Sequence, residues 1–204
     1  MTPDELYARV QLAADDEGRL PLSRMTGWDI FPFEQEGLRV VPLAPPELPE
    51  PARYGENGRP CRACDAPDPA VWSDERWRLR VLPESGAPLI LLLESAAHVD
   101  LADVPDHLAG ELGRLIVHIS RAIEARPNIA RAHVSRWGDG SAHLHVFFFA
   151  RPAGFMQLRG TCLAVWDDLL PDVPAAERTA DATAVARAVA ASYGGAALSS
   201  LQQS

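Results

Sequence analysis

Apolar and basic residues alternate along Trp77-Arg-Leu-Arg-Val-Leu82, and a period of two predicts a strand with one buried and one wetter face. Leu89 to Leu93 is apolar at every position, which predicts a central strand covered on both sides. Leu108, Leu112, Leu115, Ile116, Ile119 and Ile123 then recur at steps of three and four. That stripe predicts an amphipathic helix, with Asp103 as its N-cap, Pro105 in its first turn and an end near Arg126-Pro127. Ile129 to Arg136 reads as a third strand and Ala142 to Phe149 as a fourth. Between them, Trp137-Gly-Asp-Gly140 carries the Asp-Gly pair of a hairpin turn.

The ends of the chain are less periodic. Residues 1–25 predict a short polar helix and a loop, with a turn at Glu17-Gly-Arg-Leu-Pro21, and Leu38-Arg-Val-Val-Pro-Leu43 predicts an edge strand. Proline and glycine dominate residues 45–60, an extended connector that delivers the chain to Cys61. Thr161 to Leu170 predicts a short helix and alanine-rich Ala175 to Ser192 a longer one, followed by a dozen frayed residues. Strands joined by turns, with one long helix between the second and third, imply an α+β class: an antiparallel sheet with a long helix on one face. The expected organisation is one globular domain. Residues 1–60 form an N-terminal extension and connector packed on the core, 61–152 the core, and 153–204 a C-terminal helical extension.

The composition, 47% apolar and 23% charged, is that of a globular protein. A net charge of −9 argues against a coat for nucleic acid. It leaves room for an anionic small ligand held by a local cluster of N–H groups or arginines. No stretch approaches the ~18 consecutive apolar residues of a membrane span. The N-terminus lacks the basic-then-apolar order of an export signal, so a cytoplasmic protein is expected.

Three cysteines, two of them in Cys61-Arg-Ala-Cys64, point to metal or redox use rather than a disulfide framework. His98 follows the central strand, and His143 and His145 stand two apart in the fourth strand, so both project from one face. Thiolates and imidazoles are the ligands zinc prefers, which makes Cys61, Cys64, His98 and His143 a candidate tetrahedral zinc set. Two partly buried thiols without a metal, or a redox pair, are the alternatives. Cys162, His107, His118 and His133 read as ordinary packing or surface residues. With His143 on the metal, His145 is left free. An uncharged imidazole is a nucleophile towards phosphorus. Gly140 and its neighbours in the turn offer backbone N–H groups to a phosphate, and Ser141 adds a hydroxyl. The plainer reading of His145 is a polar residue on a half-wet face. Arg136 and Arg151 are either phosphate contacts or surface charges, and Trp137 either stacks on a base or packs.

The segment His143-Leu-His145-Val-Phe147-Phe-Phe-Ala-Arg151, with its upstream C-x-x-C and Glu94-Ser-Ala-Ala-His98, resembles the histidine triad superfamily, zinc-bearing bacterial type. More distantly it is similar to the galactose-1-phosphate uridylyltransferases. The resemblance spans Cys61 to Pro152. It implies a structural zinc on Cys61, Cys64, His98 and His143. It also implies a nucleotide or nucleoside phosphate ligand, and His145 as the nucleophile that forms a nucleotidyl-histidine intermediate in a hydrolase or transferase. A homodimer through the helix and an edge strand is implied as well. Two departures stand out: Phe147 replaces the third motif histidine, and the phosphate loop is reduced to Arg136-Trp-Gly-Asp-Gly-Ser141. Phe147 favours the alternative, a non-catalytic binding domain with structural zinc. A second register would make His143 the nucleophile and His145 the third position; Arg151 favours the first.

Overall fold

The computed structural model describes residues 1–65 and 67–198. They fall into two compact units, Met1–Pro51 and Ala52–Ser204, so the last residues of the connector belong with the second unit.

In the first unit, α1 (Pro3–Ala13) begins with a capping box. The Glu5 N–H donates to the Thr2 hydroxyl at 3.1 Å and the Thr2 N–H to the Glu5 carboxylate at 2.7 Å. The edge strand expected over Leu38–Leu43 is not formed. The Arg19 guanidinium takes the Val40 carbonyl at 2.8 Å, and Pro42 has no N–H to offer a ladder.

The second unit runs α2 (Arg62–Asp65), β1 (Trp72–Ser73), β2 (Trp77–Val81), β3 (Ile90–Ser95), α3 (Asp106–Glu124), β4 (Ile129–Ser135), β5 (His145–Pro152), α4 (Leu163–Asp167), α5 (Ala175–Ser192) and β6 (Ala196–Ala197). The sheet order is β4-β5-β3-β2-β1-β6, antiparallel at every neighbouring pair. The α+β class read from the sequence is therefore the observed one. The helix of the expected stripe starts at Asp106, not after Asp103. Val104 precedes a proline and is held extended, so residues 101–103 form a separate 3₁₀ turn capped by Asp100. Of the frayed tail, Ala196–Ala197 pairs with β1, and residues 199–204 lie outside the described residues.

The two faces of the sheet differ. On one, Leu112, Leu115, Ile119 and Ile123 of α3 and Val185 and Val189 of α5 pack with Leu79, Leu91, Leu93, Val146 and Phe148. Each such fully buried side chain contributes roughly 1.5–3 kcal/mol. On the other, a smaller cluster forms in which Leu158 and Leu163 pack with Ala87, Ile90 and Phe149, with Phe147 half-buried at its margin. The rest of that face carries Arg78 and Arg80 of β2, Glu94 of β3 and His145 of β5, with Arg78 opposite Glu94 and Glu94 opposite His145. Among the described residues no helix is long and apolar enough to cross a membrane.

Candidate metal centre and adjoining cleft

Cys61 and Cys64 sit on the tight turn that opens α2, where the Cys64 and Asp65 N–H groups both donate to the Cys61 carbonyl, at 3.0 and 2.9 Å. His98 lies in the turn after β3, and His143 two residues before β5. One donor atom from each of the four lies within 4.8 Å of all the others. The Cys61 Sγ is 3.5 Å from the His143 Nδ1, and the Cys64 Sγ is 3.4 Å from the same nitrogen and 3.5 Å from the His98 Nδ1. Zinc–sulfur bonds of about 2.3 Å and zinc–nitrogen bonds of about 2.0–2.1 Å at tetrahedral angles place sulfur and nitrogen about 3.5 Å apart. The four residues thus fit zinc in both donor chemistry and spacing.

The protonation pattern fits as well. The His143 Nε2 lies 2.8 Å from the Ser95 backbone carbonyl. A carbonyl only accepts, so that nitrogen carries the proton and Nδ1 presents its lone pair to the cluster. Burial pushes the His143 pKa below its ordinary value, against the pull of the Ser95 carbonyl and Glu94, which keeps the ring in the neutral, metal-binding form. Desolvation, and then the neighbouring Cys61, push the Cys64 thiol up to about 11. A divalent ion reverses that by stabilising the thiolate.

A strap over residues 53–55 supports the cluster. The Tyr54 N–H donates to the Gly140 carbonyl at 3.1 Å, the Ala142 N–H returns to the Tyr54 carbonyl at 2.9 Å, and the Arg53 guanidinium reaches the Gly138 carbonyl at 2.8 Å. Asp100 pairs with Arg53 at 2.8 Å and with Arg136. Burial works to raise the Asp100 pKa, but the Leu101 N–H and these two guanidinium groups hold it below the ordinary carboxylate range. Gly55 has φ +86°, and a Cβ there would stand 2.6 Å from the His98 Cε1. Only glycine lets the strap pass so close to a ligand ring.

Beside the cluster opens a cleft of about 490 Å³ lined by Tyr54, Arg62, Ala63, Asp68, Arg80, Leu92, Glu94, Ser141, His143, His145 and Phe147. Its charges are internally paired. Arg80 reaches Glu94 at 3.0 Å and Asp68 at 3.2 Å, and Arg62 reaches Asp68 at 3.1 Å. The His145 Nδ1 lies 2.8 Å from the His143 carbonyl. A carbonyl only accepts, so that nitrogen carries a proton and the ring is held in one orientation.

The structure brings Cys61, Cys64, His98 and His143 together and places Ser141 and His145 on the adjoining cleft. The sequence placed His143 inside a strand. It stands ahead of β5 instead, because the Leu144 N–H bonds the Val99 carbonyl rather than β4. For the same reason the expected tight hairpin is a longer loop over residues 136–144. The shared facing of the two imidazoles survives, since Leu144 between them is fully buried on the helix side. Gly140 meets Tyr54 through its carbonyl. Arg136 is paired with Asp100 and does not line the cleft. Arg151, near the far end of β5, lies within reach of the Pro152 and Phe155 carbonyls at 3.5 Å. Tyr54, Arg62, Asp68, Arg80 and Glu94 are cleft residues the sequence reading missed. The alternation of Arg78 and Arg80 with apolar neighbours was the signal that two arginines share a face.

No family model and no curated protein matches the chain. Among solved structures, it is similar to a histidine triad protein of Bradyrhizobium japonicum, with 21% identity, 59% of this chain and 90% of that one covered, and a TM-score of 0.49. It is also similar to a zinc-bound histidine triad family protein of Mycobacterium smegmatis (17% identity, 63% and 89% covered, TM-score 0.46). A third is a hypothetical histidine triad nucleotide-binding protein of Sulfolobus tokodaii (11% identity, 65% and 94% covered, TM-score 0.48).

Proposed function

We propose that the cleft binds a nucleotide or nucleoside phosphate and that His145 catalyses nucleotidyl transfer or hydrolysis. The observation that carries this reading is the His145 imidazole, which lines the cleft and is fixed through Nδ1 at 2.8 Å from the His143 carbonyl. The Nε2 lone pair attacks the α-phosphorus and forms a phosphorus–nitrogen bond. The bond to the leaving group breaks, and that group departs with the electron pair and takes a proton from water. A water or acceptor hydroxyl then attacks phosphorus, the phosphorus–nitrogen pair returns to Nε2, and the attacking group loses its proton to solvent. The Ser141 hydroxyl holds a phosphate oxygen. Cys61, Cys64, His98 and His143 hold zinc, whose part is structural, since four protein donors leave no open position. A homodimer through α3 and a sheet edge belongs to the same reading.

Phe147 favours a second reading, a binding domain without turnover. Its apolar ring, 5.6 Å from that of His145, stands where the motif has a third imidazole. One assay separates the two. Purified protein is mixed with adenosine phosphoramidate or a dinucleoside polyphosphate, and AMP release is followed. Turnover that falls about 10³-fold or more in His145→Ala, with binding kept, supports the enzyme. Binding without turnover by the unaltered protein supports the second reading. Zinc at one equivalent, measured on the purified chain, tests the metal assignment.

A further inference from the structure

Trp137 is 48% exposed although it is held by two aromatic neighbours. Its ring centroid is 5.4 Å from that of Phe147 and 6.0 Å from that of Phe149. It marks a boundary. Phe147 lines the cleft of His145, whereas Trp137 and Phe149 wall a second hollow of about 340 Å³. That hollow is floored by His133 and Ser135 of β4 and closed by Gly160, Thr161, Leu163 and Ala164. His133 pairs with Phe149 and Ser135 with Phe147 across the β4–β5 ladder, so both hollows open on one face of the sheet. Ring centroids step 5.6 Å from His145 to Phe147 and 5.4 Å on to Trp137. A phosphorus centre with a ring on a short linker covers that reach.

The two hollows differ in charge. Arg62, Asp68, Arg80 and Glu94 line the first. Among the described residues no carboxylate or guanidinium lines the second, whose polar side chains are His133, Ser135, Thr161 and the Trp137 indole. Burial and then Arg151 push the His133 pKa down, against a backbone contact at Gly160, so its ring meets a ligand uncharged. Aromatic walls with a few neutral donors and acceptors, in a volume at the low end of the roughly 300–1,000 Å³ of small-molecule sites, suit a planar ring and not a peptide.

We propose that this second hollow receives an uncharged planar ring covalently linked to the phosphate that meets His145, stacked against Trp137 and hydrogen-bonded at its edge by His133, Ser135 or Thr161. The inference rests on the nucleotide reading of the first cleft and assigns the place of the ring. Residues 160–164 lie outside the stretch that resembles the histidine triad motif, so this wall belongs to the chain's own C-terminal extension.

The test uses the full-length zinc-loaded protein with AMP and ribose 5-phosphate, which differ by the ring alone. The Trp137 indole N–H resonance, assigned by its loss in Trp137→Phe, is followed in both titrations. AMP is expected to move it, and ribose 5-phosphate to leave it in place. Trp137→Ala is expected to weaken AMP about tenfold or more, the usual scale for one base stacked on one aromatic side chain, and to leave ribose 5-phosphate unchanged. Trp137→Phe restores most of the loss. An indole signal unmoved at saturating AMP, no binding of AMP at all, or a Trp137→Ala effect equal for both ligands overturns the proposal. A ring-dependent indole shift without turnover leaves it standing and removes catalysis, and turnover without that shift does the reverse.

Discussion

Phe147 and Phe148 are neighbours on one strand with opposite surroundings. Phe148 is fully buried under α3 and α5, while Phe147 is half-buried on the cleft. The same division runs along β5, where Val146 and Ala150 go to the covered face and His145 to the open one. A strand of period two thus separates cohesion from chemistry within consecutive residues. The open face tolerates paired charges and imidazole rings because the covered face already secures the fold.

The largest effect that tests this contrast is Phe148→Ala. It is expected to cost about 3–5 kcal/mol in urea unfolding, whereas Phe147→Ala costs about 1 kcal/mol; equal costs would abolish the distinction. Stripping zinc with a chelator comes next. Hydrogen exchange is expected to rise about tenfold or more over residues 53–64 and 138–143, equivalent to ~1.4 kcal/mol, while the amides of α3 and β3 stay protected. Exchange that rises everywhere would make the metal a determinant of the whole fold. Gly55→Ala follows. Its positive φ and the 2.6 Å approach to His98 are expected to weaken zinc about 10-fold, as changes just outside a ligand shell do, in competition with a chromophoric chelator. The smallest effect lies at Glu111 on α3. Burial works to raise its pKa, but Arg76 and the Trp77 indole hold it below the ordinary value. A depressed folded pKa stabilises above the unfolded carboxylate value and is lost as pH falls through the folded one. Glu111→Gln should therefore lower the melting temperature slightly at neutral pH, converge with the unaltered protein in acid, and so flatten the acid limb of the profile.

The covered face was legible in the sequence because burial imposes periodicity. The α3 stripe, the apolar β3 run and the alternation in β2 each announce one element. The four zinc donors were legible by residue type. The cleft was less so. Arg80 and Glu94 become partners only through the β2–β3 register, and Tyr54 reaches Ser141 through an isolated parallel bridge that no local pattern encodes. Strands β1 and β6, two residues each, are too short to show a period. The Leu38–Leu43 stretch has strand-forming residues but no ladder, since its carbonyl at Val40 is already taken by Arg19.

Asp68 has a consequence for whatever enters the cleft. Its carboxylate occupies both Arg62 and Arg80, so those guanidinium groups greet a ligand already satisfied by an anion of the chain itself. A tethered competitor acts at an effective concentration in the millimolar range or above. Simple monoanions at lower levels therefore gain nothing by displacing it. Under the proposed function, a phosphate, with more charge and more oxygens in reach, has to displace the carboxylate, and discrimination among anions would begin with that exchange.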